Sequence, residues 1–139
     1  MLKGILAISG QPGLFKVISE AKNSIIVESL LTGKRMPAYS SSKISSLEDI
    51  AVYTQTEEIS LKKVFKSIQD LTEAGKTFDL KASGEVMKSY FEEILPEYDR
   101  DRVYTSDMKK IISWFLLLQE KQLLDFTEEE ENPEEKEDK

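Results

Sequence analysis

The hydrophobic period of this chain changes once, near residue 55. Before that point, apolar and β-branched residues come in short runs cut by turn residues. After it, they recur at i, i+3, i+4 and i+7. A two-residue period fits strands and a 3.6-residue period fits helices, so the chain reads as strands first and helices second, an α+β fold.

Lys3 to Ser9 is the first strand candidate. Gly10-Gln-Pro-Gly13 is a turn, because Pro12 presets its φ and Gly13 can take a positive one. Leu14 to Ala21 and Ser24 to Leu31 form a hairpin across Lys22-Asn23. Thr32-Gly33 turns the chain into Lys34 to Tyr39, where Pro37 asks for an edge position. Ser40 to Lys43 reads as a serine-rich loop, and Ser46-Leu-Glu-Asp49 as one capped helical turn. Ile50 to Thr54 reads as the fifth strand. Five short strands on tight turns suggest a small, strongly bent sheet or barrel. So small a sheet buries little of its own surface, and helices are expected to cover one side.

Ser60 caps a helix with a stripe of Leu61, Val64, Phe65, Ile68 and Leu71. Ser83 caps a second, with Val86, Met87, Tyr90, Phe91, Ile94 and Leu95, and Pro96 ends it. Ser106 is expected to cap a third, with Asp107 in its first turn. Its apolar residues, Met108, Ile111, Ile112 and Trp114 to Leu118, cover most of the circumference. Such a helix is central to the fold or pressed against a second chain.

The formal net charge is -7, and residues 125–139 hold nine acidic and two basic side chains, which accounts for all of it. The first 124 residues are therefore neutral, and the acidity belongs to one segment. Glu128 to Lys139 has no aromatic or aliphatic residue, so disorder is expected there. The first ten residues hold one lysine and an interrupted apolar run, so no secretory leader is read in them. The longest apolar run, Trp114 to Leu118, is far short of the ~20 residues that span a bilayer. No membrane association and a cytoplasmic location are expected, and the lack of cysteine agrees with a reducing compartment.

Histidine is absent too. That removes the side chain that titrates near neutrality, the commonest nucleophile–base pairs and the usual zinc ligands. The carboxylates Glu57, Glu58, Glu92, Glu93, Asp99 and Asp101 lie in polar stretches, where the solvated-surface reading is preferred over acid–base work. A magnesium site from Asp99, Asp101 and Asp107 is disfavoured by the interleaved Arg100 and Arg102. Gly10-Gln-Pro-Gly13 lacks the ending of a phosphate-binding loop. Ser40-Ser-Ser42 and Ser45-Ser46 have no base except Lys43, and they read as loop serines. No catalytic residue, metal or cofactor is expected.

Tyr98-Asp-Arg-Asp-Arg-Val-Tyr104 is the most unusual local pattern. Arginine–carboxylate pairs that lock the connection are preferred over arginines that hold a phosphate or a partner's carboxylate. Lys34-Arg35, near aromatic residues of the β region, suggests single-stranded nucleic acid. However, Met1 to Thr54 holds only six basic residues against four acidic ones, a weak electrostatic footprint.

Leu2-Lys-Gly-Ile-Leu-Ala-Ile-Ser-Gly-Gln-Pro-Gly-Leu-Phe-Lys-Val, Ile26-Val-Glu-Ser-Leu with Thr32-Gly-Lys-Arg, Ser45-Ser-Leu-Glu-Asp-Ile-Ala-Val-Tyr, Tyr98-Asp-Arg-Asp-Arg-Val-Tyr and the tryptophan-bearing last helix together resemble a family of small Bacteroidetes proteins built on a domain of unknown function. The resemblance runs to about Phe126. It implies a β-rich first part and a helical second part, with no site residue to carry over. The β part is also similar to SH3-like barrels in strand count and hairpin length, which does not establish function.

The expected organisation is an SH3-like β domain over residues 1–55, a three-helix region over 56–126 and a disordered acidic tail over 127–139. The expected function is a non-enzymatic, cytoplasmic binding or adaptor protein that works by protein–protein contact. Trp114 and Leu117 are the expected surface for a partner or for a second copy in a homodimer. The alternative is a nucleic-acid-binding module using Lys34, Arg35, Arg100 and Arg102, which requires the four cations to converge.

Overall fold

The computed structural model describes residues 2–39 and 43–124. The expected disordered tail and Ser40–Ser42 lie outside the described residues.

Strands β1 (Ile5–Ile8), β2 (Phe15–Glu20), β3 (Ser24–Ser29), β4 (Arg35–Tyr39) and β5 (Ile44–Ser46) form one antiparallel sheet, ordered β4-β3-β2-β1-β5. The turns arise where expected. Gly10 and Gly13 flank the first with φ of 84° and 74°. Ala21 N–H donates to the Ser24 carbonyl at 2.8 Å and closes the Lys22-Asn23 loop. Pro37 lies in β4, an edge strand, so its missing N–H removes no ladder bond from a second neighbour.

The fifth strand is not the expected one. Ile44–Ser46 pairs with β1 through Leu6↔Ser46 and Ile8↔Ile44. A single 3-10 turn, Leu47–Asp49, with Leu47 fully buried, then carries the chain off the sheet, and the Ser46 side chain makes no capping hydrogen bond to it, contrary to the expected cap. The Ile50–Thr54 stretch supplies β6 (Ala51–Tyr53), which pairs instead with β7 (Glu58–Ser60) in a separate two-stranded sheet. Thr54 clasps that hairpin: its N–H and its hydroxyl both donate to the Glu57 carbonyl at 2.7 Å, and its Oγ1 accepts the Glu57 N–H at 2.9 Å. A local hairpin of this kind outcompetes a longer closure onto β1. The likeness to SH3-like barrels goes no further than strand count and tight hairpins.

Helices α1 (Leu61–Glu73), α2 (Gly84–Ile94) and α3 (Thr105–Glu120) follow. Ser60 Oγ accepts the Lys63 N–H at 3.4 Å, and Ser83 Oγ accepts the Val86 N–H at 3.3 Å, as the sequence predicts. The third cap differs. Asp107 Oδ2 accepts the Tyr104 N–H at 3.0 Å, so the helix starts at Thr105 and Ser106 sits inside its first turn. The carboxylate reaches three residues back and fixes the boundary more strongly than the serine hydroxyl would.

Strand β1 packs on both of its faces. Ile5 and Ala7 of β1 join Leu14, Leu47 and Val52 in a large cluster with Phe65, Phe91 and Phe115 of the helices. The alternate residues Leu6 and Ile8 face a smaller cluster with Phe15, Val27 and Ala38. Among the described residues, that second cluster comes from strands alone, yet Val27 is 0% exposed. The sheet therefore curls over its own inner face. A register shift between Val17 and Ser19 sets Ile18 apart as an extra residue in β2, a bulge that sharpens the bend.

Helix α3 is central: Met108, Ile111, Ile112, Trp114, Phe115, Leu117 and Leu118 are all buried. Its surplus of apolar faces is used inside the chain, so it needs no second chain to explain it. None of the described helices is long and apolar enough to cross a membrane.

Candidate binding cleft

The first half of α3 does not close fully onto the sheet. Between it, the Gly10–Gly13 turn and the β5–β6 connection lies a cleft of about 930 Å³. Its apolar floor includes Val52, Val103, Ile111 and Trp114, each no more than 9% exposed. Its rim carries Gln11, Lys43, Tyr53, Arg102, Asp107, Lys110 and Ser113. Asp107, Lys110 and Trp114 reach it together because positions i, i+3 and i+7 share a helix face.

Arg102 is held from two sides. Its Nε donates to Asp99 Oδ2 at 2.9 Å, and its guanidinium lies 4.2 Å from the centre of the Tyr53 ring. Asp99 Oδ1 also accepts the Asp101 N–H at 2.9 Å. The hydrogen bond from Arg102, then that from the Asp101 backbone, hold the Asp99 carboxyl below its ordinary value of 3.8, against the opposing effect of burial. The same pairing raises Arg102.

A depressed carboxylate contributes stability above its unfolded pKa, and the contribution is lost as pH falls through the lower folded pKa. Asp99→Asn is therefore expected to melt below wild type at pH 7, with the gap closing as pH drops below 3.8. Thermal melts from pH 7 to strongly acid buffer check this, and a gap that stays constant would show that the pair adds no pH-dependent stability.

The locking reading of the Tyr98–Tyr104 segment matches this geometry. Arg100 covers the Tyr98 ring at 4.2 Å, donates to the Pro96 and Tyr98 carbonyls, and pairs with Glu92 at 3.4 Å. Asp99 and Asp107 are both engaged with the protein itself. Among the described residues, no group of three or more carboxylates is placed to hold a metal.

The other sequence-marked residues are scattered. Arg35 pairs with Glu28 across β3 and β4 at 3.0 Å, and Lys34 precedes it at the end of the Thr32-Gly33 turn. Of Lys34, Arg35, Arg100 and Arg102, only Arg102 lines the cleft. Trp114 and Leu117 are 9% and 8% exposed: the first floors the cleft, and the second lies against the Gly13 turn. The cleft also gathers Gln11, Lys43, Tyr53, Lys110 and Ser113 from four separate stretches of sequence. The one local signal for it is the i, i+3, i+7 spacing of Asp107, Lys110 and Trp114.

Residues 2–47 match the family model of a domain of unknown function, DUF5606, and residues 50–118 match another, DUF6852. The two matches meet at the 3-10 turn between β5 and β6. The chain is also similar to a Bacteroides vulgatus protein solved by solution NMR, at 45% identity over 91% of each chain and with a TM-score of 0.71. No curated protein matches it.

Proposed function

Since this chain belongs to the family of small Bacteroidetes proteins built from these two domains of unknown function, we propose that it is a non-enzymatic binding or adaptor protein whose cleft holds a segment of a partner protein. The cleft carries this reading. An apolar floor inside a polar rim is the anatomy of a protein interface. Trp114, Tyr53 and Arg102 meet there, and tryptophan, tyrosine and arginine are the residues enriched at binding hot spots.

The chemistry in the cleft favours holding over transforming. Its carboxylate, Asp107, caps α3, and its arginine is tied to Asp99. Lys43 and Lys110 are exposed cations on its lining. The cysteine-free composition fits work in the cytoplasm.

Site-specific photo-crosslinking in the native host tests the reading. A crosslinking side chain at Gln11 or Ser113, on the cleft, is expected to capture one discrete protein. The same group at Val86, on the exposed side of α2, is expected to capture none. Equal capture from both places removes the cleft as the site. Steeply salt-dependent binding of RNA or DNA by the purified chain would favour the nucleic-acid class instead.

A further inference from the structure

Among the described residues, strand β6 pairs with β7 alone, through Ala51↔Ser60, Val52↔Ile59 and Tyr53↔Glu58. At the two ends of this ladder, the Thr54 N–H donates to the Glu57 carbonyl at 2.7 Å and the Leu61 N–H to the Ile50 carbonyl at 3.0 Å. Bonded pairs alternate in an antiparallel ladder, so Val52 turns its N–H and C=O towards β7. Ala51 and Tyr53 turn theirs away. At the Tyr53 end that outer edge is already covered: Thr54 bridges Tyr98, and the Tyr53 carbonyl accepts the Asp99 N–H at 2.9 Å. At Ala51 it is open, because neither the N–H nor the C=O has a hydrogen-bond partner among the described residues. The open edge fronts the cleft. Ile50 to Tyr53 line it with residues from both faces of the strand, and no residue of β7 does.

Four charged side chains line the same cleft: Lys43, Arg102, Asp107 and Lys110. Arg102 is bound to Asp99, and Asp107 Oδ2 accepts the Tyr104 N–H. Lys43 and Lys110 are exposed and have no side-chain partner among the described residues. We propose that the occupant of the cleft is an extended acidic segment of a partner protein, which adds a strand at the open edge of β6 and exchanges two hydrogen bonds with Ala51. This rests on the reading of the cleft as a protein-binding site and names the chemistry of the partner.

In strand addition the main-chain bonds supply affinity and the alternate side chains supply choice. An apolar side chain suits the floor of Val52, Ile111 and Trp114. Carboxylates complement Lys43 and Lys110, which sets the choice of partner more than the strength of binding. A nucleic acid suits the cleft less well. Base stacking needs open ring faces, but Trp114 is 9% exposed and Arg102 covers one face of the Tyr53 ring at 4.2 Å.

Short random peptides displayed on phage and selected on the full chain supply the probe. Enriched peptides are expected to carry Asp or Glu beside an apolar residue. When a synthetic copy of one binds, hydrogen exchange at the Ala51 amide should slow about tenfold, while Val52, already bonded to β7, keeps its rate. Ala51→Pro removes the outward donor and no ladder bond. Ile50, at φ -84° and ψ 139°, already has the backbone that precedes a proline. This variant should melt like wild type and bind the peptide about tenfold more weakly, since one peptide carbonyl is left unpaired. Lys43→Gln/Lys110→Gln should weaken binding at low salt and flatten its salt dependence. If Ala51→Pro unfolds, the exchange measurement on wild type decides. Enrichment of basic or uncharged peptides overturns the proposal, as does a peptide that shifts the Gln11 and Ser113 amides and leaves Ala51 exchange unchanged. No enrichment, with Gln11 still crosslinking a partner, overturns it too, and in these cases the cleft reading stands. A peptide seated away from the cleft removes both. Tighter binding of a short oligothymidine at the same amides gives the cleft to nucleic acid and overturns both.

Discussion

Phe115→Ala is expected to lower the unfolding free energy by about 3–5 kcal/mol. Phe115 is fully buried at the middle of α3, and its ring meets Phe65 of α1 edge-on, with centroids 6.0 Å apart and planes at 62°. The substitution removes the transfer free energy of the ring and the aromatic contact, worth about 0.5–1.5 kcal/mol beyond area. It also leaves a void between two helices that cannot both close on it. Small domains are stable by only about 5–15 kcal/mol, so the variant should sit near its unfolding threshold. Urea denaturation should show a lower midpoint with an unchanged slope. A loss below about 1 kcal/mol would mean that α3 is not packed centrally against α1.

Trp114→Glu should unfold the chain, not dissociate it. A tryptophan on an exposed helix face would mark an interface between copies, and a glutamate there would yield a folded monomer. Trp114 is only 9% exposed and floors the cleft beside Val103 and Ile111. Its loss should cost about 3–5 kcal/mol in packing, and the new carboxylate adds a desolvation cost in an apolar wall. The expected result is loss of the cooperative thermal transition, followed by circular dichroism. A variant that melts like wild type and changes only its mass in light scattering would place Trp114 against a second chain.

Features set by near neighbours were legible in advance. Ser60 and Ser83 cap their helices because a hydroxyl reaches an N–H three residues away, and nothing distant intervenes. Asp99 and Arg102 pair at i, i+3, which the charge alternation predicts. Pro37 marks an edge because it lacks a donor. Ser106 was a poorer guide: a carboxylate one residue further on satisfied a stronger hydrogen bond and moved the boundary.

Ile44–Ser46 and Ile50–Thr54 show where such reading ends. Both are short, and either could extend the sheet. The difference is that Ile44 finds Ile8 across more than thirty residues, while Val52 finds Ile59 across a clasped hairpin. The cleft is harder still, since Lys43 and Lys110 are two ordinary lysines until the fold brings both to one cleft.

What the amino-acid order determined alone was the change from strands to helices, the turns, the caps at Ser60 and Ser83 and the confinement of the net negative charge to residues 125–139. The tertiary structure decided which strand completes the sheet, that α3 is buried by its own chain and that a cationic cleft exists beside it. The physical reason is range. Backbone sterics and hydrogen bonds to neighbours act over a few residues, whereas pairing and concavity depend on which distant surfaces meet, and the free energy of burial chooses that for the chain as a whole.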